Sequence, residues 1–348
     1  MDKKAGYREY FIAIVFLLGV FLTPVMTLAG KLMPGENDGL FAAESTAVAV
    51  TSIQKLKASA DEFNAHHFMK KELIMLNRGV VKLSSGGTYL ASTQVLAGKD
   101  HWLFFKSKTD GQSIEDYMGT NLYDADKLLQ LKGNFEKLQG ILAERGIPLY
   151  AICVPDKEIV CEGYMPDNIV RLYTPSRGEQ LTAYINDNTT VPMMYPREAL
   201  QAELARGGEV YYSTDTHWNH RGAFIGLQQF FAMAYGDEPR SVDSVRFLLP
   251  QEDYAGDLAT IAGVENEYAQ DRRYTFDISS ADPSQYHDQC LMIIGDSFMD
   301  YFSAIAGPYY REVYYVGEKA YDHTLLDKYK PDLVIWESGE RRLSAYEQ

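Results

Sequence analysis

Leu291-Met292-Ile293-Ile294-Gly295-Asp296-Ser297-Phe298 decides how the chain folds. Four apolar residues without polar alternation read as a strand buried on both faces. Gly295 lets the backbone turn sharply, and the residues after Ser297 can open a helix. Three further runs have the same character: 148–154 (PLYAICV), 312–316 (EVYYV) and 332–336 (DLVIW). Helical patterns separate them. Leu128, Leu131, Phe135, Leu138 and Leu142 recur at spacings of three and four within 124–145, with Gly146 as a C-terminal cap, and 221–234 reads as another helix. This alternation predicts an α/β fold, a mostly parallel sheet with helices on both faces. In such sheets ligands bind just past the carboxyl ends of the strands, so Ser297 is presented where a nucleophile belongs. The unpaired N–H groups of the turn, that of Ser297 included, supply part of an oxyanion hole.

A serine hydroxyl needs a base, and a histidine base needs a carboxylate to fix its tautomer. Tyr211-Tyr212-Ser213-Thr214-Asp215-Thr216-His217-Trp218-Asn219 offers both. On an extended backbone Asp215 and His217 point the same way. Ser297, His217 and Asp215 are thus the candidate triad, and no residue stands out as a second oxyanion donor. The same alternation turns Trp218 away from the site, as a packing residue that holds the loop. It places Tyr211 beside Asp215, as the candidate substrate-binding residue.

Composition narrows the class. The chain has 348 residues, 46% hydrophobic and 13% aromatic, which excludes a disordered protein. A net charge of −15 makes non-specific nucleic-acid binding unfavourable. Phe11 to Gly30 carries no charge over twenty residues, about 30 Å as a helix, enough to cross a hydrocarbon core. Lys3, Lys4 and Arg8 precede it and orient the N-terminus to the cytoplasm. A transmembrane anchor is the preferred reading, and a signal peptide cleaved after Thr27-Leu28-Ala29 the other. The expected organisation is an anchor or signal over 1–30, a linker and helical region over 31–95, and a catalytic domain over 96–348. Within the middle segment, Pro34 to Gly39 reads as linker and Thr46 to Leu83 as helix.

Metal binding has no support: CxxC and HExxH are absent, and the His66-His67 pair reads as surface polarity. No cofactor is expected. Of Cys153, Cys161 and Cys290, an odd count, at least one stays a free thiol; Cys153 and Cys290 read as buried, and a Cys153–Cys161 bridge is left open.

Asp215-Thr216-His217-Trp218 followed by Gly295-Asp296-Ser297-Phe298 resembles the alginate O-acetyltransferase family and its DHHW-type relatives, which have an SGNH-hydrolase-like fold. Gly98-Lys99-Asp100-His101-Trp102-Leu103-Phe104 is similar to the family's GKDGWLF motif, with His101 in place of a glycine. Val154-Pro155-Asp156-Lys157-Glu158 resembles its P-x-K-E motif, and Pro331 through Glu340-Arg341 its terminal strand and E-R pair. The order, with Asp215 and His217 ahead of Ser297, is that of the circularly permuted branch. The resemblance implies Ser297 as nucleophile, His217 as base, Asp215 as orienter and Asp296 as a structural partner. It implies an extracytoplasmic O-acyltransferase, expected to be an O-acetyltransferase, modifying an exopolysaccharide or cell-envelope polysaccharide. It also implies a multi-pass membrane O-acyltransferase that supplies the acetyl group. The alternatives are a carbohydrate acetylesterase with the same triad and a non-catalytic polysaccharide-assembly component.

Overall fold

A computed structural model describes residues 90, 92–107, 111–249 and 253–347. The expected anchor or signal, the linker, the helix over 46–83 and the His66-His67 pair lie outside the described residues. Among the described residues no helix is long and apolar enough to cross a membrane.

The compact unit Ser92–Gln348 carries all elements described here. In chain order the strands are β1 (Val95–Ala97), β2 (Leu103–Phe105), β3 (Leu149–Val154), β4 (Met193–Met194), β5 (Phe247–Leu248), β6 (Thr275–Phe276), β7 (His287–Gly295), β8 (Tyr310–Gly317) and β9 (Leu333–Gly339). The helices are α1 (Ser113–Met118), α2 (Ala125–Ala143), α3 (Lys157–Val160), α4 (Arg177–Asn188), α5 (Arg197–Ala205), α6 (His220–Tyr235), α7 (Asp257–Ala262), α8 (Met299–Ala306) and α9 (Thr324–Tyr329). The central sheet has the order β4-β3-β9-β7-β8, and every pairing is parallel.

The apolar runs of β3, β7 and β9 are continuous because both faces of the sheet are covered there; β8, expected to be buried on both faces, is instead a half-buried edge strand with Arg311 and Glu312 exposed. Ile152, Val154, Leu291, Ile293, Leu333 and Ile335 face a core shared with Phe224, Phe230 and Phe231 of α6 and Phe302 and Ile305 of α8. Their neighbours Ala151, Cys153, Met292, Ile294, Val334 and Trp336 face a second core with Leu131 and Phe135 of α2, Leu181 of α4 and Leu326 of α9. Period two within each strand sorts its residues between the two layers. All three cysteines are free and buried, so no Cys153–Cys161 bridge forms. Helix α2 begins at the Asp124 cap, whose carboxylate accepts the Lys127 N–H at 2.8 Å. Gly146, at φ 71°, follows its end.

Register decides which motifs meet. Val154 pairs with Gly339 across β3 and β9, and Gly295 with Gly317 across β7 and β8. The chain therefore leaves β3 at Pro155-Asp156-Lys157, β9 at Glu340-Arg341 and β7 at Asp296-Ser297 along one carboxyl edge. The β1–β2 hairpin packs there through the Glu158 carboxylate, which accepts the Phe105 N–H at 2.9 Å. The hairpin turn holds Asp100 (φ 50°) and His101 (φ 62°) in the left-handed region. This is why a glycine suits the position that His101 occupies; the His101 ring lies edge-on 5.7 Å from that of Tyr268.

Candidate active site

The three candidate residues are brought together. His217 Nδ1 lies 2.7 Å from Asp215 Oδ1, and His217 Nε2 lies 2.7 Å from Ser297 Oγ. With an acceptor on Nδ1, that nitrogen carries the proton and Nε2 is free to accept from the hydroxyl. Ser297 is exposed, His217 half-buried and Asp215 buried. Burial opposes the charge on Asp215. The side-chain bond to His217, its charge, its backbone N–H and the Tyr254 hydroxyl nevertheless hold the carboxyl well below the usual range. His220, three residues from His217, is pulled down to about 4 by burial and then by Arg273, so it stays neutral.

The serine turn is held from below. Asp296 donates its N–H to Glu337 Oε2 at 3.0 Å and accepts from the N–H groups of Phe298 (3.0 Å) and Gly339 (3.2 Å). The Tyr315 hydroxyl donates to its carbonyl at 2.6 Å. Asp296 is thus a bracket for the turn and not a member of the triad. A Cβ on Gly295 would stand 2.4 Å from Glu337 Oε2, so the carboxylate reaches the turn only because that position is glycine.

Trp218 joins the two motifs. Its ring is fully buried and its Nε1–H donates to the Phe298 carbonyl at 2.8 Å. It holds the histidine loop against the residue that follows Ser297.

Tyr211 does not line a groove. It is 1% exposed, and its hydroxyl donates to the Pro155 carbonyl. The expectation failed because period two does not run from Tyr211 to Asp215. The loop doubles back, pairing Tyr211 with Trp218. Asp215 and His217 meet instead through a tight turn, in which the Asp215 carboxylate accepts the His217 N–H at 3.0 Å. Tyr212 and Phe298 are buried as well, and Tyr301 is the half-buried aromatic beside the triad. Tyr211→Phe should destabilise the protein by about 1–2 kcal/mol, because a buried carbonyl loses its donor. Denaturant unfolding measures this, and any activity loss should be equal for polymeric and small acetyl substrates.

Further residues build the site: Asp271, Asp257 and Gly256 carry no motif signal of their own, while Lys157 and Arg341 come from the P-x-K-E and E-R segments. The Asp271 carboxylate accepts from Ser213 N–H and Oγ at 2.7 Å each, and from Thr214 N–H and Oγ1. Asp257 accepts from Thr216 N–H at 2.8 Å and Thr216 Oγ1 at 2.6 Å. Lys157 Nζ donates to the carbonyls of Leu103, Ser213 and Asp215. Gly256 must lack a side chain, since a Cβ there would sit 2.5 Å from Asp215 Cβ. Arg341 donates to Thr216 Oγ1 at 3.1 Å, behind the histidine.

Asp215, His217 and Asp257 bring ligand-type atoms within 4.8 Å of one another. Those atoms are already engaged: Nδ1 with Asp215, and both Asp257 oxygens with Thr216. The arrangement is that of a hydrogen-bonded relay.

Residues 95–297, more than half of the chain, match the family described as SGNH hydrolase-like domain, acetyltransferase AlgX, and the chain belongs to that family. The matched span includes Asp215, His217 and Ser297. A probable alginate O-acetylase AlgJ of Pseudomonas fluorescens is 28% identical over 182 residues, which cover 47% of this chain and 40% of that relative. The chain thus matches less than half the length of that relative. PatB1 of Bacillus cereus superposes with a TM-score of 0.51 at 12% identity, over 72% of this chain and 98% of that one. A DHHW family protein of Eubacterium siraeum gives a TM-score of 0.48 at 14% identity, over 73% and 96%.

Proposed function

We propose that this member of the acetyltransferase AlgX family is an extracytoplasmic O-acyltransferase that places acetyl groups on a polysaccharide through an acyl-serine. One observation carries the proposal: the unbroken relay from Asp215 through His217 to Ser297, 2.7 Å at each link, ending on an exposed hydroxyl. As Oγ attacks the acetyl carbonyl carbon of the donor, its proton passes to His217 Nε2. The Ser297 N–H is one donor to the oxyanion. Collapse expels the donor's leaving oxygen, which takes the proton from Nε2 and leaves acetyl-Ser297. A sugar hydroxyl then gives its proton to Nε2 and attacks, and the returning proton restores the serine. The ionised Asp215 stabilises the imidazolium in both halves.

The name of the Pseudomonas fluorescens relative, a probable alginate O-acetylase, supports a polysaccharide acceptor. We place the catalytic domain outside the cytoplasmic membrane, anchored by the apolar segment Phe11 to Gly30 with the N-terminus inside. A multi-pass membrane O-acyltransferase would supply the acetyl group, since no acetyl-CoA is available there.

The exposure of Ser297 also admits water, which keeps a carbohydrate acetylesterase as the second reading. The full chain, given a small acetyl ester and a panel of neutral and acidic oligosaccharides, separates the two. Transfer predicts acetylated sugar by mass spectrometry, in excess of the acetate released. Acetate as the sole product with every acceptor would assign the esterase.

A further inference from the structure

The triad carboxylate is gripped at both oxygens. Asp215 Oδ1 receives the two donors of His217. Oδ2 receives the Tyr254 hydroxyl at 2.8 Å and the Asp257 N–H at 3.1 Å. Tyr254 is fixed in turn. Its backbone forms an antiparallel bridge with Asp271, through Tyr254 N–H to Asp271 O at 2.7 Å and the reverse bond at 3.1 Å. The Arg273 guanidinium lies 4.0 Å from the centroid of its ring, and the Tyr212 ring packs edge-on at 6.0 Å. A single aspartate, Asp271, therefore anchors the Ser213-Thr214 side of the loop by its side chain and Tyr254 by its backbone.

We propose that Tyr254 is a positioning residue for the acyl transfer inferred above: its hydroxyl, steadied by Arg273, locks the Asp215 carboxylate so that Oδ1 stays aimed at His217 Nδ1. The inference rests on that functional reading for its kinetic consequence but not for its geometric one. A carboxylate rotates about its Cβ–Cγ bond, and a bond at Oδ2 from a held phenol stops that rotation. The same bond draws negative charge toward Oδ2 and away from the imidazole. The hydroxyl stays a donor, because burial and then the charge of Asp215 push its own ionisation far above the ordinary range.

Other charges face the same groups. Asp257 Oδ2 lies 3.8 Å from His217 Nδ1, Arg341 reaches Thr216 Oγ1, and Lys157 Nζ holds the Asp215 carbonyl. Arg273 faces Tyr254, together with Tyr212 and Asp215. Tyr254→Phe keeps all of these and the stacked ring, and removes one hydroxyl.

The test compares wild type, Tyr254→Phe and Tyr254→Ala as full chains. The His217 ring is titrated by NMR, and hydrolysis of a small acetyl ester is followed against pH. In Tyr254→Phe the freed charge on Asp215 should hold the imidazolium proton longer. The His217 titration and the acid limb of kcat should then move to higher pH by about half a unit. At the optimum kcat should fall about tenfold with KM unchanged, as for one lost hydrogen bond to a charged group. Tyr254→Phe should unfold at slightly lower denaturant than wild type, since the buried Asp215 Oδ2 loses one donor and keeps the Asp257 N–H, while Tyr254→Ala also loses the ring packing and should unfold at lower denaturant still. A His217 titration in Tyr254→Phe that superposes on wild type overturns the proposal whatever the rates do. If wild type shows no turnover that depends on Ser297, the functional reading fails, and the titration still decides the role of Tyr254.

Discussion

Ser297→Ala is expected to lower acyl transfer by at least about 10⁴-fold while leaving the fold intact. The hydroxyl is exposed and its bond is to His217 Nε2, so its removal empties no core volume. Stability should change by less than about 1 kcal/mol. The turn itself is held by Asp296, Glu337 and Gly339, none of which touches Oγ. A small acetyl donor should acetylate the wild type at one site, and peptide mapping should locate the acyl group on Ser297. In the variant no acyl-protein should form, and His217 should keep its bond to Asp215. Turnover within about threefold of wild type would reduce Ser297 to a turn residue and remove the covalent mechanism.

Strands β3, β7 and β9 were readable because burial on both faces leaves a continuous apolar run, whereas β8 carries such a run although it is a half-buried edge strand. The fifth, Met193–Met194, is too short to write a pattern. Parallel register could not be read, yet it is what brings residues near 155, 296 and 340 to one edge. The candidate triad was legible because the proposed chemistry permits few residue types, and because Asp215 and His217 lie close in sequence. The residues around it were not. Asp271, Asp257 and Tyr254 reach the loop across 39 to 58 positions and use side-chain oxygens that any surface residue also has. Tyr211 shows the opposite error. Its place beside the triad was read from an alternation that holds only for extended chain, and the loop around Asp215 is a turn.

The Val154-Pro155-Asp156-Lys157-Glu158 motif gains its physical meaning from one amine, and Lys157→Met should be among the most damaging single changes in the protein. Lys157 is 2% exposed. An ammonium has three protons, and here they go to three carbonyls: Leu103 at 2.6 Å, Ser213 at 2.8 Å and Asp215 at 3.0 Å. The rings of Trp102 and Phe104 lie 5.0 and 5.2 Å away and favour the cation further. Burial lowers the pKa of the amine, while Asp271, Glu158 and Asp215 act against that shift. One side chain thus ties strand β2 to both ends of the Ser213-Thr214-Asp215 segment. Methionine matches its length and is apolar, so it takes one donor from each of the three carbonyls, of which the Ser213 carbonyl still accepts the Leu103 N–H at 2.8 Å. Each such loss costs about 1–3 kcal/mol, and they are not additive because the segment relaxes as a unit. The expected destabilisation is about 3–5 kcal/mol in denaturant unfolding. Activity should fall further than the folded fraction explains, since Asp215 loses its anchor on the carbonyl side. Lys157→Arg should not rescue, because a planar fork cannot direct its protons at three carbonyls converging on one point. A methionine variant within about 1 kcal/mol of wild type, with normal turnover, would show that Glu158, Asp271 and the Leu103 N–H bond to the Ser213 carbonyl hold the hairpin and the histidine loop without Lys157.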